Sequence, residues 1–256
     1  MAGRNYYLLS ALPPIGHFGD PPPLSLSDFA SMLRQADGPA EIVEALLLGD
    51  DLTQRQAVLS GEIDPEAADP SVLAPEQVRD EAPLPEYLAA ERAGEGGSRV
   101  AADVIWEPYY RHAAEVARRR GSDLLADWVR LDVGLRNALA EERAKALGLA
   151  PHAYRVAADL AEGTSKHAEA VSEWSAASDP LAAQRALDQY RWRWLAEREP
   201  YFSFEDDELT VYAARLMLLH RWNRIQQTDG EPPEGAVPEV PPLDEGASSR
   251  PAAAAT

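Results

Sequence analysis

Residues 201–225 read YFSFEDDELTVYAARLMLLHRWNRI. Four acids stand in a row from Glu205 to Glu208, and an apolar-periodic run follows that ends in His220, Arg221, Trp222, Asn223 and Arg224. The row reads either as carboxylates gathered for metal or acid–base chemistry or as the punctuation of a helix. Spacing chooses the second. Ser203 is placed to cap a helix beginning at Phe204, with Asp206 where a capping box usually carries Glu or Gln. Acids in the first turn complement the positive end of the helix dipole, and Arg221 and Arg224 complement the other end. Leu209, Tyr212, Leu216 and Leu219 share one face, which Val211, Leu218, Trp222 and Ile225 widen. Consecutive helical side chains point about 100° apart, so the four acids do not converge on one ion.

Outward from this helix the chain is punctuated in the same way. Asp179-Pro180 opens a long helix through Leu187, Tyr190, Trp192, Trp194 and Leu195, with proline at the favoured first position, and Glu199-Pro200 breaks it. A less regular helical pair is expected over 159–175. Asp123 to Leu147 carries Leu124, Leu125, Trp128, Leu131, Leu135, Ala138 and Leu139 along one stripe, and Gly148 closes it. Val100 to Arg120 reads as the preceding helix, with Pro108 as a kink or restart, Gly121 as its left-handed end and Ser122 as the next N-cap. Trp192 and Trp194 are two apart and cannot face one stripe, so one of them is expected to meet another layer or a partner subunit.

The N-terminal third is less regular. NYYLLSAL (5–12) reads as a short strand or an extended lead-in, and the prolines of PPIGHFGDPPP forbid regular structure after it. Ser27 introduces a helix that Asp37-Gly38-Pro39 stops, and a second is expected over 39–48. From 49 to 97 the expectation is loops with short helices at 75–81 and 84–93 and a hinge at 95–98. Residues 228–256, acidic and rich in proline, are expected to be a disordered tail. The fold class is therefore all-α, a multi-helix bundle or funnel-like array. Its parts are an irregular N-terminal region (1–97, with an acidic segment at 37–96), a long-helix body (98–227) and the tail.

Charge follows the same division. The net −19 is concentrated in residues 37–96, with 15 acids against Arg55, Arg79 and Arg92, and in 226–256, with six acids against Arg250. Residues 97–225 hold 20 acids and 18 bases. Such a balance argues against nonspecific binding to nucleic acid or an anionic bilayer, which need a basic face. With no cysteine, disulfides, thiolate catalysis and Cys-based zinc sites are excluded. No segment reaches the roughly 18 apolar residues of a membrane span. The opening apolar run is too brief for a signal peptide, so a cytoplasmic protein is expected.

Motifs for chemistry are sparse. Gly163-Thr164-Ser165-Lys166 lacks the loop glycines of a phosphate cradle. His17, His112, His152, His167 and His220 lack paired spacing and read as surface or cap residues. Asp50-Asp51 and Glu141-Glu142 read as solvated acid pairs, and Arg118-Arg119-Arg120 as a helix end. No catalytic residue, metal site or cofactor is expected.

Three segments carry a resemblance. NYYLLSALPPI followed by PPPLSLSDF is similar to the opening of a small, uncharacterised bacterial family encoded with V-type ATPase subunits. LRNALAEERAKALGL (135–149) resembles a helix of that family and of the C/d-type central-stalk component of V/A-type ATPases. RALDQYRWRWLAEREPYFSFEDDELTVYAARLMLLHRWNRI (185–225) resembles the C-terminal helix pair, with Arg185, Leu187, Asp188, Arg191, Trp192, Trp194, Leu195, Phe204, Leu209, Tyr212, Leu216, Arg221 and Trp222 in the expected order. Asp132 departs from the pattern, standing too far from Asn137 for the Asp-x-x-Asn spacing of some relatives.

The resemblance implies a helical, non-catalytic coupling component. It would be cytoplasmic and peripheral to the inner membrane through its partners, the central-stalk subunits and the membrane rotor ring. It also implies partner contacts on Arg136, Asn137, Arg143 and Lys145, and on Arg191, Trp192, Arg221, Trp222 and Arg224. The rival expectation is an independent acidic helical adaptor or regulator that binds a basic protein.

Overall fold

The computed structural model describes residues 5–36, 38–89, 104–161, 163–200 and 202–229, and among them the regular structure is helical, with no strand. The elements are α1 (Tyr6–Ala11), α2 (Leu26–Gln35), α3 (Ala40–Ser60), α4 (Pro75–Val78), α5 (Trp106–Arg120), α6 (Asp123–Ala146), α7 (Ala168–Ser175), α8 (Pro180–Ala196) and α9 (Asp206–Asp229). Short 3-10 turns, at Glu86–Leu88 and Thr164–His167 among others, join them. The hinge expected at 95–98, and the tail from residue 230 onward, lie outside the described residues.

The punctuation of the body is as its chemistry dictates. Gly121 takes φ 68° at the end of α5, and Ser122 Oγ accepts from the Leu125 amide to cap α6. Asp179 caps α8 by accepting from the Ala182 amide at 2.7 Å, with Pro180 at the first position. Pro108 stands in the first turn of α5, where its missing N–H costs no helical bond.

Three N-terminal expectations need correction. Residues 6–11 form a helix, not a strand or an extended lead-in. Tertiary bonds fix it: the Asn5 amide donates to the Phe204 carbonyl at 3.1 Å and Asn5 Nδ2 to Asp206 Oδ1 at 2.9 Å. The cap of α2 is Ser25, not Ser27, its hydroxyl accepting from the Asp28 amide at 3.0 Å. α3 does not stop near 48 but runs to Ser60 and ends at Gly61 in the left-handed conformation.

The start of α9 also differs. It begins at Asp206, and Ser203 is not its cap in the expected sense. The Glu208 carboxylate folds back to accept from the amides of Phe202 (3.3 Å) and Phe204 (2.7 Å) and from Ser203 Oγ (3.1 Å). Phe202 and Phe204 hold φ 57° and 56°, a region costly for aromatic residues, and Glu208 secures both. The other acids diverge, with Asp206 meeting Asn5 and Asp207 meeting Ser122.

α9 packs against α2, α3, α6 and α8. Leu209, Val211, Ala213, Ala214, Leu216, Met217, Leu218 and Leu219 are all buried, so its apolar surface wraps well beyond the expected stripe. One hydrophobic cluster joins Phe29 and Leu46 to Tyr109, Tyr110, Leu125, Trp128 and Leu216, so residues on both sides of position 97 share a core. A smaller cluster of Leu135, Leu139, Ala170 and Leu187 fastens α7 to α6 and α8. Trp194 packs on Trp128 of α6 at 5.9 Å and Trp192 on Phe18 at 5.7 Å, so the two tryptophans serve two different neighbours within the chain.

Gly49 sets the approach of α3 to α5. A Cβ at that position would lie 2.6 Å from the Tyr109 hydroxyl oxygen and 3.0 Å from Cζ. Gly49→Ala should therefore destabilise the fold by about 1–3 kcal/mol in urea unfolding, although alanine is the better helix former. Adding Tyr109→Phe, which removes the nearest atom, should recover part of that loss.

Candidate functional site

Three aspartates and three arginines meet in the interior where α3, α6, α8 and α9 converge. Asp50 of α3 accepts from Arg221 Nε at 3.1 Å and Arg224 Nη2 at 2.5 Å. Asp188 of α8 pairs with Arg191 at 3.1 Å and Arg221 at 3.5 Å. Asp132 of α6 accepts from Arg191 Nη2 at 2.8 Å and, on its other oxygen, from the Tyr110 hydroxyl at 2.8 Å. Gln54 and Gln184 supply further donors, to Asp50 and Asp188 respectively, each at 3.0 Å. Arg191 and Arg221 each touch two carboxylates, so the pairs form one chain of contacts.

Burial opposes ionisation of Asp50, but Arg224 and Arg221 outweigh it and hold the carboxyl below its usual range. Asp132 behaves likewise: Arg191 and the bond from Tyr110 overcome its burial and lower its pKa. The carboxylates in turn keep Arg191 and Arg221 protonated in spite of burial. Tyr109 and Tyr110, fully enclosed and near Asp132, are pushed well above the ordinary phenol range.

The expectation that Asp50-Asp51 is a solvated acid pair is overturned, since both side chains are fully buried. Asp51 points away from the arginines and accepts from the amides of Ser71, Val72 and Leu73 at 3.0, 2.7 and 2.7 Å, pinning the following loop to α3. Burial outweighs those bonds and raises its pKa to about 6. The signal was present in the sequence. Continued at helical spacing, the stripe of Ile42, Val43, Leu46 and Leu47 reaches Asp50, Asp51 and Gln54.

A cavity of about 530 Å³ opens beside the ion network, bordered by Trp106, Tyr109, Tyr110 and Trp128 and by Asp50, Asp132, Arg136, Arg143, Arg191 and Arg221. The residues singled out from sequence divide around it. Arg191, Arg221 and Arg224 belong to the network. Trp222 is buried, its ring 5.7 Å from Phe18 and below the Arg185 guanidinium, and Trp192 lies below that of Arg215. Asn137 is buried and clasps Val156, donating to its carbonyl at 2.9 Å and accepting from its amide at 2.8 Å. Arg136 stacks on Trp106 at 4.3 Å and Arg143 on Trp174 at 5.1 Å. Lys145 is exposed beside Glu142.

Asp50, Asp132, Asp188, Tyr110, Gln54 and Gln184 are network members to which the sequence assigned no contact role. Arg119 and Arg120 at the end of α5 both bind Glu41, tying that helix end to α3. His167 is not a surface group but is buried, with its Nδ1 3.2 Å from the Tyr190 hydroxyl.

Residues 81–233, more than half of the chain, match the model of a family described as Protein of unknown function (DUF2764). The matched span contains every charged member of the ion network except Asp50. No curated protein and no solved structure matches the chain.

Asp50→Asn removes the buried carboxylate that Arg221 and Arg224 share and should cost about 3–5 kcal/mol of stability. Asp51 gives a separate pH signature. Its pKa is higher folded than unfolded, so between pH 6 and the ordinary carboxyl value of 3.8 the native state holds a proton that the unfolded chain has released. Its contribution to stability therefore rises as pH falls through that window. In urea unfolding from pH 7 to 4, the deficit of Asp51→Asn relative to the wild type should grow by up to about 3 kcal/mol.

Proposed function

We propose that this chain, which belongs to the family described as Protein of unknown function (DUF2764), is a non-catalytic coupling component of a V/A-type rotary ATPase. In this reading it is cytoplasmic, links the central stalk to the membrane rotor ring in the manner of the C/d-type component, and meets the membrane only through its partners. The observation that carries the reading is the internal ion pairing of the helix pair on which the resemblance is strongest. The segment 185–225 forms α8 and α9, and Asp188, Arg191 and Arg221 bolt that pair to α3 and α6. Torque transmission needs helices that do not slide, and a slip of α8 or α9 would leave these buried charges unpaired.

Two sets of exposed large apolar side chains suit partner contacts. Leu147 and Leu149 stand 73% and 44% exposed just past the end of α6, within the second resembling segment and beside Lys145. Tyr7 and Phe202 stand 87% and 81% exposed near the junction of α1 and α9. Among the described residues no helix is long and apolar enough to cross a membrane, which agrees with attachment through partners.

The test is recovery of partners from gently solubilised membranes of the native host with the tagged full chain, at low and moderate salt. Rotary-ATPase stalk and ring subunits should appear at both salts, with or without residues 228–256. Leu147→Asp/Leu149→Asp or Tyr7→Asp/Phe202→Asp should reduce that recovery at unchanged melting temperature. Recovery of basic soluble proteins alone, lost with rising salt or with deletion of the tail, would overturn the proposal in favour of an electrostatic adaptor.

A further inference from the structure

The junction of α1 with the turn before α9 displays aromatic rings. Among the described residues, Tyr7 and Phe202 are the two most exposed large apolar side chains, and Tyr6 is 42% exposed. The Tyr6 ring lies 5.5 Å from that of Tyr7, edge to face, and 5.0 Å from that of Phe204, two residues past Phe202. Asn5 ties α1 to this turn, donating from its amide to the Phe204 carbonyl and from Nδ2 to Asp206. Exposed aromatic surface of this kind marks interaction sites.

The charged neighbours of these rings are carboxylates, and their partners decide which of them carry surplus charge. Glu208 is taken up by the amides of Phe202 and Phe204 and by Ser203, Asp206 by Asn5, and Asp127 by Arg130. Glu205, Asp207 and Asp123 are left. Glu205 and Asp123 are exposed, Asp207 lies 3.4 Å from the Ser122 hydroxyl, and among the described residues no cation pairs with any of the three. Burial raises the Asp207 carboxyl above its usual range, and the charges of Asp123, Asp206 and Asp127 add to that rise against the bond from Ser122. Negative charge without a counter-charge thus adjoins the exposed rings.

We propose that this aromatic surface is the docking site of a basic segment of a partner protein, with guanidinium groups laid on the Tyr7 and Phe202 rings and further cations set against Glu205, Asp207 and Asp123. Ring faces attract guanidinium groups, and tyrosine and arginine are among the residues that most often carry interface energy. Charge selects this occupant over the two nearest to hand. Residues 226–256 bring six acids against Arg250, and a second copy of the chain would set the same carboxylates against these. The inference names the chemistry of one contact surface in the coupling reading and rests on that reading only for the partner's identity.

Fluorescence anisotropy with the purified full-length protein tests it, the probe being a labelled peptide that alternates arginine with alanine. The peptide should bind saturably with a Kd of about 10–100 µM at low salt, and its citrulline counterpart about tenfold more weakly. Tyr7→Ser/Phe202→Ser should weaken the arginine peptide about tenfold. Asp123→Asn/Glu205→Gln should do the same and also lessen the dependence on salt. All four side chains are exposed, so the melting temperature should move little. Glu62→Gln/Glu81→Gln removes as much charge from another exposed part of the chain and should leave the affinity unchanged. Absence of saturable binding at about 1 mM would overturn the proposal, as would equal binding of the citrulline peptide. So would an affinity untouched by Tyr7→Ser/Phe202→Ser, or an equal loss in Glu62→Gln/Glu81→Gln. None of these outcomes bears on recovery of rotary-ATPase subunits, and failure of that recovery leaves the peptide result standing.

Discussion

Arg221 is the constraint on which the rest of the structure depends. Its guanidinium reaches Asp50 on α3 and Asp188 on α8 from its own position on α9, and Arg191 continues the chain to Asp132 on α6. Four helices are thereby fixed at one depth. Burying six charges is expensive, and the desolvation cost is offset only if each charge finds opposite partners with good geometry. Here the three aspartates and three arginines are matched, Tyr110 and Gln184 donate to the second oxygens of Asp132 and Asp188, and Gln54 shares Asp50 Oδ2 with Arg224. A slip of one turn in α9 would leave these charges unpaired in a low-dielectric interior. The network therefore contributes register more than net stability.

Several features that look separate follow from that depth. With Arg221 fixed, apolar positions all around α9 meet α2, α3, α6 and α8. α3 must come close enough to α5 for Tyr109 to lie over Gly49. Asp51, one residue from Asp50, necessarily points another way, and it holds the Ser71–Leu73 loop through backbone amides. The acidic segment is thus partly an internal structural device. Its charge is not simply a solvated coat, which removes some of the basis for reading it as an electrostatic lure.

Much of the body was legible because its signals are local. The Gly121–Ser122 junction, the Asp179-Pro180 start and the stripe of α6 each depend on residues within one turn of one another. What was illegible depended on distant partners. The Asp50-Asp51 pair looks like an exposed acid pair until arginines about 170 positions away are folded onto it. The helix at 6–11 is fixed by Asn5 reaching Phe204 and Asp206. Ser203 resembles a cap, but Glu208 competes for the same turn and holds it in another shape. Of the residues taken from the resemblance, Arg191, Arg221 and Arg224 fell in the network and Arg136 and Arg143 on the cavity border, whereas Asn137 clasps Val156 and Lys145 pairs with Glu142. Whether a given arginine faced inward or outward was not written in its spacing.

The pairing also limits what the cavity can do. A carboxylate serves as a general acid near neutral pH when burial or a like charge raises its pKa. Asp50 and Asp132 have moved the other way, held ionised by arginines that are themselves held protonated. Asp51, an interior carboxyl whose pKa is raised, is occupied by three backbone amides of the Ser71–Leu73 loop. The groups bordering the cavity are therefore poised as fixed charges and ring faces, not as proton carriers. Fixed charges paired in equal number lock a scaffold. The arrangement suits a rigid body whose helices keep one register.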